Sequence, residues 1–282
     1  MKYYIVIPAY NEAEFIGLTL QSLVSQTHLP AKVVVVDDNS GDNTLAIAED
    51  FAAKYSWISV VKKVSAANHQ PGSKVIQAFY EGQKLLDDDY EVIVKLDADL
   101  ILPSNYFETI INVFANDEKA GMVGGFAYIE KDNEWVLESL TDNDHIRGAF
   151  KAYRKECFLQ IGGLKPAMGW DTVDELLAKF YGWKVITIEK LKVKHLKPTG
   201  AKYNKSAPLK QGEAFYSLGY GLFITAIASA KLAFKKKMPG MFLGYMEGFF
   251  KAKFAGKPLL VTKEQARFIR KYRLSKIKQK LF

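Results

Sequence analysis

Three short stretches of the chain, YYIVIP from Tyr3, KVVVVDD from Lys32 and EVIVKL from Glu91, are apolar almost without interruption and then run into polar, acidic residues. A half-buried strand alternates apolar and polar residues. One that does not is covered on both faces, the habit of parallel sheets wrapped by helices. Helical patterns lie between these runs. EAEFIGLTLQSLVSQ brings Phe15, Leu18, Leu20, Leu23 and Val24 near helical spacing, DNTLAIAEDFAAKY has Ser40 or Asp42 available as a cap, and SKVIQAFYEGQKLL follows the strand-like WISVVKK. This βαβα rhythm predicts an α/β fold, a Rossmann-like and mostly parallel sheet flanked by helices. With 282 residues and 49% hydrophobic content, the chain is long enough to bury a large core.

In such sheets ligands sit outside the carboxyl ends of the strands. The ends here are IPAYNE, VVDDNSGDNT and KLDADL, which deliver Glu12, Asp37 with Asp38, and Asp97 with Asp99 to one rim. Carboxylates held close together repel, a cost tolerated where a positive partner arrives, most often a divalent cation. A D-x-D triplet is expected by chance roughly once in a chain of this length. Asp87 with Asp89 in LLDDDY, and Asp142 with Asp144 in SLTDNDH, have no strand leading in and read as solvated turns. Only Asp97 and Asp99 close a buried strand.

Past Gly121 the order loosens. AGMVGGFAYI reads as a strand, GAFKAYRKECFLQIGG as a strand and a short helix stopped by the Gly pair, VDELLAKFYGWKV as a helix and strand, and KLKVKHL as a final strand. After Pro198 the character changes, which places a boundary near Lys205: residues 1–204 form the α/β domain, and 205–282 a helical, basic extension. From Lys251 to Phe282 there are eleven Lys or Arg and one acid, a balance of +10 out of the net +8, so the preceding residues carry −2. Such a tail points to an anionic partner, a membrane surface or a nucleic acid. The uncharged run Ala214–Ala230 is diluted by glycines and hydroxyls and is expected to pack on the body rather than span a bilayer. In TKEQARFIRKYRLSKIKQKLF, Thr262 and Gln265 form a capping box, and Phe268, Tyr272, Leu274, Ile277 and Leu281 make an apolar stripe among cations, a membrane-surface pattern. Cys157 is the single cysteine, and the N-terminal apolar run is too short for a signal peptide, so a cytoplasmic protein is expected, peripheral on the inner face of a membrane.

PAYNE, VVDDNSGDNT and KLDADL, in this order and at roughly these separations, resemble the nucleotide-binding half of the family 2 glycosyltransferases, which have a GT-A fold. The resemblance covers about Lys2 to Pro198 and rests on several motifs agreeing in order. It implies an inverting transferase that uses a nucleotide-diphospho-sugar and a divalent metal, with a donor half over about 1–100 and an acceptor half over about 101–204. By the same resemblance Pro8, Tyr10 and Glu12 line the nucleotide pocket, Asp37 and Asp38 hold the base and ribose, Asp99 is a metal ligand, and Asp97 contacts the ribose or the metal. An oxygen-only set suits Mn2+ or Mg2+. His195, in VKHLKPTG, resembles a family position that approaches the metal or diphosphate, and Arg154 resembles one near the acceptor. Lys74 begins a helix where phosphate fits, although Tyr80 stands where the family often has Asn. Lys151 and Lys155 are expected to face water.

An inverting displacement needs a base opposite the leaving group, to take the acceptor hydroxyl's proton as it attacks. Family members commonly carry Glu-Asp at the start of a helix ahead of a Gly-aromatic-basic-Val entry, and WD before GWKV occupies that place, which makes Asp171 the base and leaves Asp174 and Glu175 as alternatives. Trp170, where an acid is usual, departs from the pattern. The expected acceptor is a glycan or a lipid-linked molecule, in the service of a surface polysaccharide or glycolipid. Polyprenyl-phosphate sugar synthesis is the near alternative, and sugar-phosphate nucleotidyl transfer lacks its Gly-rich basic loop here. A nucleic-acid-binding module is disfavoured because the acidic rim repels phosphate and the cations are confined to the tail.

Overall fold

The computed structural model describes residues 1–63, 72–138, 145–197 and 207–281, and the chain divides into two compact units. Unit 1 comprises Met1–Pro166 and Trp170–Thr199. Its strands are β1 (Tyr3–Ala9), β2 (Lys32–Asp37), β3 (Ile58–Lys62), β4 (Val92–Leu96), β5 (Leu100–Ile101), β6 (Ala120–Lys131), β7 (Glu134–Leu137), β8 (Phe150–Arg154) and β9 (Lys184–His195). They form one sheet in the order β3-β2-β1-β4-β8-β6-β9-β5, with β7 paired to β6. The non-alternating runs become the buried centre: every residue of β1 and β4 is buried, and in β2 all but Lys32. These strands and β3 are parallel, β8 runs antiparallel between β4 and β6, and β9 is parallel to β6.

Helices α1 (Ile16–Val24), α2 (Thr44–Lys54), α3 (Ser73–Gln83), α4 (Tyr106–Asn116), α5 (Lys155–Gln160) and α6 (Trp170–Phe180) cover the sheet. Asp42, expected as a cap for α2, accepts the Thr44 amide at 3.0 Å. Two expectations are corrected. GWKV and KLKVKHL are not separate strands but one 12-residue strand, β9, whose pairing with β6 slips between Gly124 and Phe126. The register shift lets the chain cross the intervening TIEK without leaving the sheet. The exposed pair Asp87 and Asp89 is not merely solvated, since Asp87 accepts the Tyr4 hydroxyl at 2.6 Å and pairs with Lys32. Asp142 and Asp144 lie outside the described residues.

Unit 2 comprises Ala167–Gly169 and Gly200–Phe282. It contains α7 (Ala207–Ser217), α8 (Leu222–Lys235), α9 (Met241–Phe254) and α10 (Lys263–Leu281). The uncharged run is therefore broken between two helices, and no helix among the described residues is long and apolar enough to cross a membrane. α7 and α9 cross with backbones in contact: a Cβ on Gly212 would meet the Tyr245 carbonyl oxygen at 1.9 Å, and one on Gly248 the Leu209 carbonyl oxygen at 2.0 Å. The capping box forms, with Thr262 N donating to Gln265 Oε1 at 2.8 Å and Gln265 N to Thr262 Oγ1 at 3.2 Å. The first half of α10 is not a free amphipathic surface, since Ala266 and Ile269 are buried and Arg270 donates to the Gly219 carbonyl at 3.0 Å.

Candidate active site

Because β1, β2 and β4 run parallel and in register (Ala9 beside Asp37, Val6 beside Lys95), their carboxyl ends open onto one edge. The loops after β1 and β2 are stitched into a single ledge. Asn11 adopts a positive φ of 52°, its N–H donates to Ser40 Oγ at 2.9 Å, and its side-chain oxygen accepts from Gly41 N at 2.8 Å. Glu12 N donates to Thr44 Oγ1 at 2.8 Å, and Ala13 N to Asp42 at 3.1 Å. The structure thus brings Pro8, Tyr10, Glu12, Asp37 and Asp38 together: Pro8 is buried in β1, and Tyr10 is 60% exposed above it. Asp38 pairs with Lys63 at 3.1 Å. One carboxylate oxygen of buried Asp37 accepts from Ser40 N at 3.3 Å, and the other has no partner.

On the same edge stand the two acids of the D-x-D. Lys95, itself only 2% exposed, pairs with Asp97 Oδ1. Asp99 Oδ2 lies 3.5 Å from His195 Nε2, while Asp99 Oδ1 is buried without a hydrogen-bond partner. His195 arrives because it is the Cα partner of Leu100 in the β5–β9 pair. Its Nδ1 lies 3.1 Å from Glu138 Oε2, which also holds Arg147 at 2.9 Å. Burial works against the charged imidazole, but its interactions with the Asp99 and Glu138 carboxylates, which accept from the ring, outweigh it and raise His195 to about 9. Glu12 completes this edge: its Oε1 pairs with Lys197 at 2.8 Å, its Oε2 is buried and partnerless, and burial together with repulsion from Asp99 and Asp97 raises its pKa.

The donor set suits a hard divalent cation. Among the described residues no three His, Cys, Asp or Glu already converge on a metal position. Yet buried carboxylate oxygens without partners are costly, and Asp99 Oδ1 and Glu12 Oε2 are two such atoms on one rim. A hard cation with oxygen ligands is the chemistry that satisfies them.

The other side of the site is built on α6. Asp171 lies in its first turn, with a side chain 35% exposed, and His145 Nε2 stands 3.7 Å from its carboxylate. Burial would raise the Asp171 pKa, but His145, Lys151 and Arg147 overcome it and hold the group at about 2. Below lies a buried charge cluster. Lys151 is fully buried, not facing water as its sequence suggests: Nζ bonds both Asp174 oxygens at 2.9 and 3.1 Å, Glu175 Oε1 at 3.1 Å, and the Asp171 carbonyl. Tyr153 donates to Asp174 at 2.6 Å, and Ile146 N to Glu175 at 2.9 Å. Asp174 and Glu175, 1% and 4% exposed, are committed to this cluster, which leaves Asp171 as the acid of α6 that reaches solvent.

Trp170 joins the two sides. Lys95 and Lys151 are direct Cα partners across β4 and β8, and their ammonium groups lie 5.3 and 6.0 Å from the Trp170 ring centroid, a double cation–π arrangement. Gly148 makes room for the indole, since a Cβ there would meet Trp170 Cζ2 at 2.7 Å. Lys74 lies in the first turn of α3, and the segment before it, 64–71, is outside the described residues. The Arg154 guanidinium donates to the carbonyls of Phe114 and, at 3.1 Å, Asp117 at the C-terminal end of α4, and to the Ala120 carbonyl at the start of β6 at 2.9 Å. Lys155, 23% exposed in its side chain, pairs with Asp88 at 3.8 Å. Glu138, Arg147 and His145 lie in no motif, and Lys95, the first residue of KLDADL, was assigned no role by it.

A family model, glycosyl transferase family 2, matches residues 4–165, more than half of the chain. The chain therefore belongs to glycosyl transferase family 2. The probable glycosyltransferase YdaM of Bacillus subtilis is 32% identical over 127 residues, covering 44% of this chain and 29% of that protein. Poly-beta-1,6-N-acetyl-D-glucosamine synthase of Staphylococcus epidermidis is 28% identical over 120 residues, covering 43% of this chain and 27% of its own length. The match spans less than half the length of these curated relatives. Among solved structures, mannosyltransferase PcManGT from Pyrobaculum calidifontis, in complex with GDP-Man and Mn2+, superposes with a TM-score of 0.58 at 15% identity, covering 100% of this chain and 81% of that one. The shared architecture is the GT-A glycosyltransferase fold.

Proposed function

We propose that the chain is an inverting glycosyltransferase moving a sugar from a nucleotide-diphospho-sugar to a hydroxyl of a glycan or lipid-linked acceptor, with residues 1–100 holding the donor and 101–204 the acceptor. The observation that carries it is the pair of buried, partnerless oxygens of Asp99 and Glu12 on the rim that also presents Asp37. Pro8, Tyr10 and Glu12 line the nucleotide, Asp37 and Asp38 hold base and ribose, and Lys74 faces the phosphates. Asp99 and Asp97 hold a Mn2+ or Mg2+ ion, with His195 beside them. Bound there, the ion supplies Lewis-acid neutralisation of the diphosphate. His195, anchored by Glu138, stands where it can reach the metal or the diphosphate. Asp171 accepts the proton of the acceptor hydroxyl as its oxygen forms the bond to the anomeric carbon. The bond from that carbon to the diphosphate oxygen breaks on the opposite face, and its electron pair leaves with the nucleoside diphosphate.

A thermal-shift series with uridine, guanosine and thymidine diphospho-sugars tests the donor. One of them with Mn2+ should raise Tm: saturation near a hundred times Kd is worth about 2.7 kcal/mol, roughly 5–10 °C for a chain of this size. Asp99→Ala should remove the Mn2+-dependent part. No shift with any donor, or an unchanged shift in the variant, overturns the assignment. We also propose that unit 2 holds the protein at the cytoplasmic face of a membrane through its basic helices. The whole chain should then sediment with vesicles containing phosphatidylglycerol and not with pure phosphatidylcholine.

A further inference from the structure

Unit 2 contains a helix whose polarity is inverted. α8 buries the hydroxyls of Thr225 and Ser229, both without a hydrogen-bond partner, while Leu222, Phe223 and Phe234 stand 51%, 65% and 86% exposed. In water the stable arrangement is the reverse, because buried unpaired hydroxyls and exposed aromatic rings both cost free energy. α9 carries a similar exposed pair, Leu243 at 71% and Phe254 at 81%, with buried Tyr245, Phe249 and Ala252 on its inner side. Phe223 and Phe234 are eleven residues apart, as are Leu243 and Phe254. Eleven residues is about three helical turns, so each pair lies on one face of its helix.

Each outer face is an apolar strip flanked by charge, with exposed Lys231 one turn before Phe234 on α8 and the exposed Glu247–Lys251 pair beside Leu243 and Phe254 on α9, the pattern of helices that lie at a membrane surface. With 14 residues each, α8 and α9 are about 21 Å long, short of the roughly 30 Å hydrocarbon core, so they lie along a bilayer rather than through it. Charge identifies the surface. From Gly200 to Phe282 there are eighteen Lys and Arg against three acids, a balance of +15. Exposed Lys236 and Lys237 follow α8, and Lys253 lies in the last turn of α9, placed to reach headgroups while the rings enter the acyl boundary.

We infer that the outer faces of α8 and α9, centred on Phe223, Phe234, Leu243 and Phe254, are the surface that inserts into the interface of an anionic lipid bilayer. α10, whose first half packs within its own unit, contributes charge alone. The inference rests on the membrane reading above and narrows it from the basic tail to two helices.

Co-sedimentation with phosphatidylglycerol vesicles tests it on full-length variants. Replacing Phe223, Phe234, Leu243 and Phe254 together by Ser, all at exposed positions, should weaken partitioning by at least about tenfold. Reversing Lys263, Lys271 and Lys278 to Glu should weaken it only at low salt. Phe234→Trp should add emission that shifts to shorter wavelength and is quenched by brominated acyl chains, since unit 2 has no tryptophan of its own. Unweakened binding of the Ser variant, or an added indole at position 234 that brominated lipid leaves unquenched, overturns the inference while leaving the membrane reading standing. Wild-type protein that binds neither vesicle overturns both. A wild-type dimer in light scattering that the Ser variant converts to monomer assigns the faces to a second copy and overturns the inference.

Discussion

Asp171→Asn should lower kcat by about 10²–10⁴-fold while leaving the donor KM near its wild-type value, the range that removal of a general base produces. The substitution keeps the shape of the side chain beside His145 but removes the negative charge and the basic lone pair. The surroundings explain why this acid is available: its pKa of about 2 keeps it ionised across the neutral range, and Asp174 and Glu175 beside it are occupied by Lys151. On the proposed role, a carboxylate so acidic is a weak base at rest and would gain strength as the acceptor displaced water from around it, so the expected effect falls on kcat rather than on donor binding. Initial-rate kinetics at saturating donor decide the matter. A loss under about threefold would instead mean an acceptor already ionised, such as a lipid phosphate, and would favour polyprenyl-phosphate sugar synthesis.

Lys151→Met should destabilise the fold by about 3–5 kcal/mol, because it strands two buried carboxylates that share one cation. The cause is specific. Lys151 is fully buried, and Asp174 and Glu175 are its immediate partners at 2.9 and 3.1 Å. Burial alone would raise Glu175, yet Lys151 and His145 hold it at about 2 instead of its ordinary 4.5. Its folded pKa is depressed, so this stabilisation is present above about pH 4.5 and disappears as pH falls through about 2. Urea denaturation at pH 7 measures the loss, and the triple variant Lys151→Met, Asp174→Asn, Glu175→Gln should recover most of it. If the single variant falls by under about 1 kcal/mol, the cluster is not the support described.

The rim is legible because its signal is one-dimensional. Parallel strands bury both faces, so β1, β2 and β4 appear as unbroken apolar runs, and whatever follows each run lies at the same edge. That logic places Glu12, Asp37, Asp97 and Asp99 together from sequence alone. It fails where chemistry depends on contacts between distant segments. Lys151 in FKAYR reads as an ordinary outward lysine, since nothing local says that both faces of β8 are covered. One hint existed. Asp174 follows Trp170 by four residues and precedes Leu177 by three, which puts it on the apolar stripe of α6, and an acid there calls for a buried cation. Glu138 and Arg147, which anchor His195, are joined only by the folding of β7, β8 and β9 and left no trace in any motif. Arg154 shows a contact that its motif position did not announce, with its guanidinium bonded to main-chain carbonyls at the end of α4.

The pairing of Lys95 with Lys151 under one indole carries a consequence for how such a chain diversifies. One lysine pairs with Asp97 of the rim and its cross-strand neighbour with Asp174 of α6, so on the proposed reading a change on either side is felt on the other. A chimera that imports only α6 from a relative bearing an acid at position 170 loses the aromatic ring that both ammonium groups of this cross-strand pair approach. Exchange of acceptor preference in this lineage should therefore travel as a block, with both lysines and Gly148 inherited together.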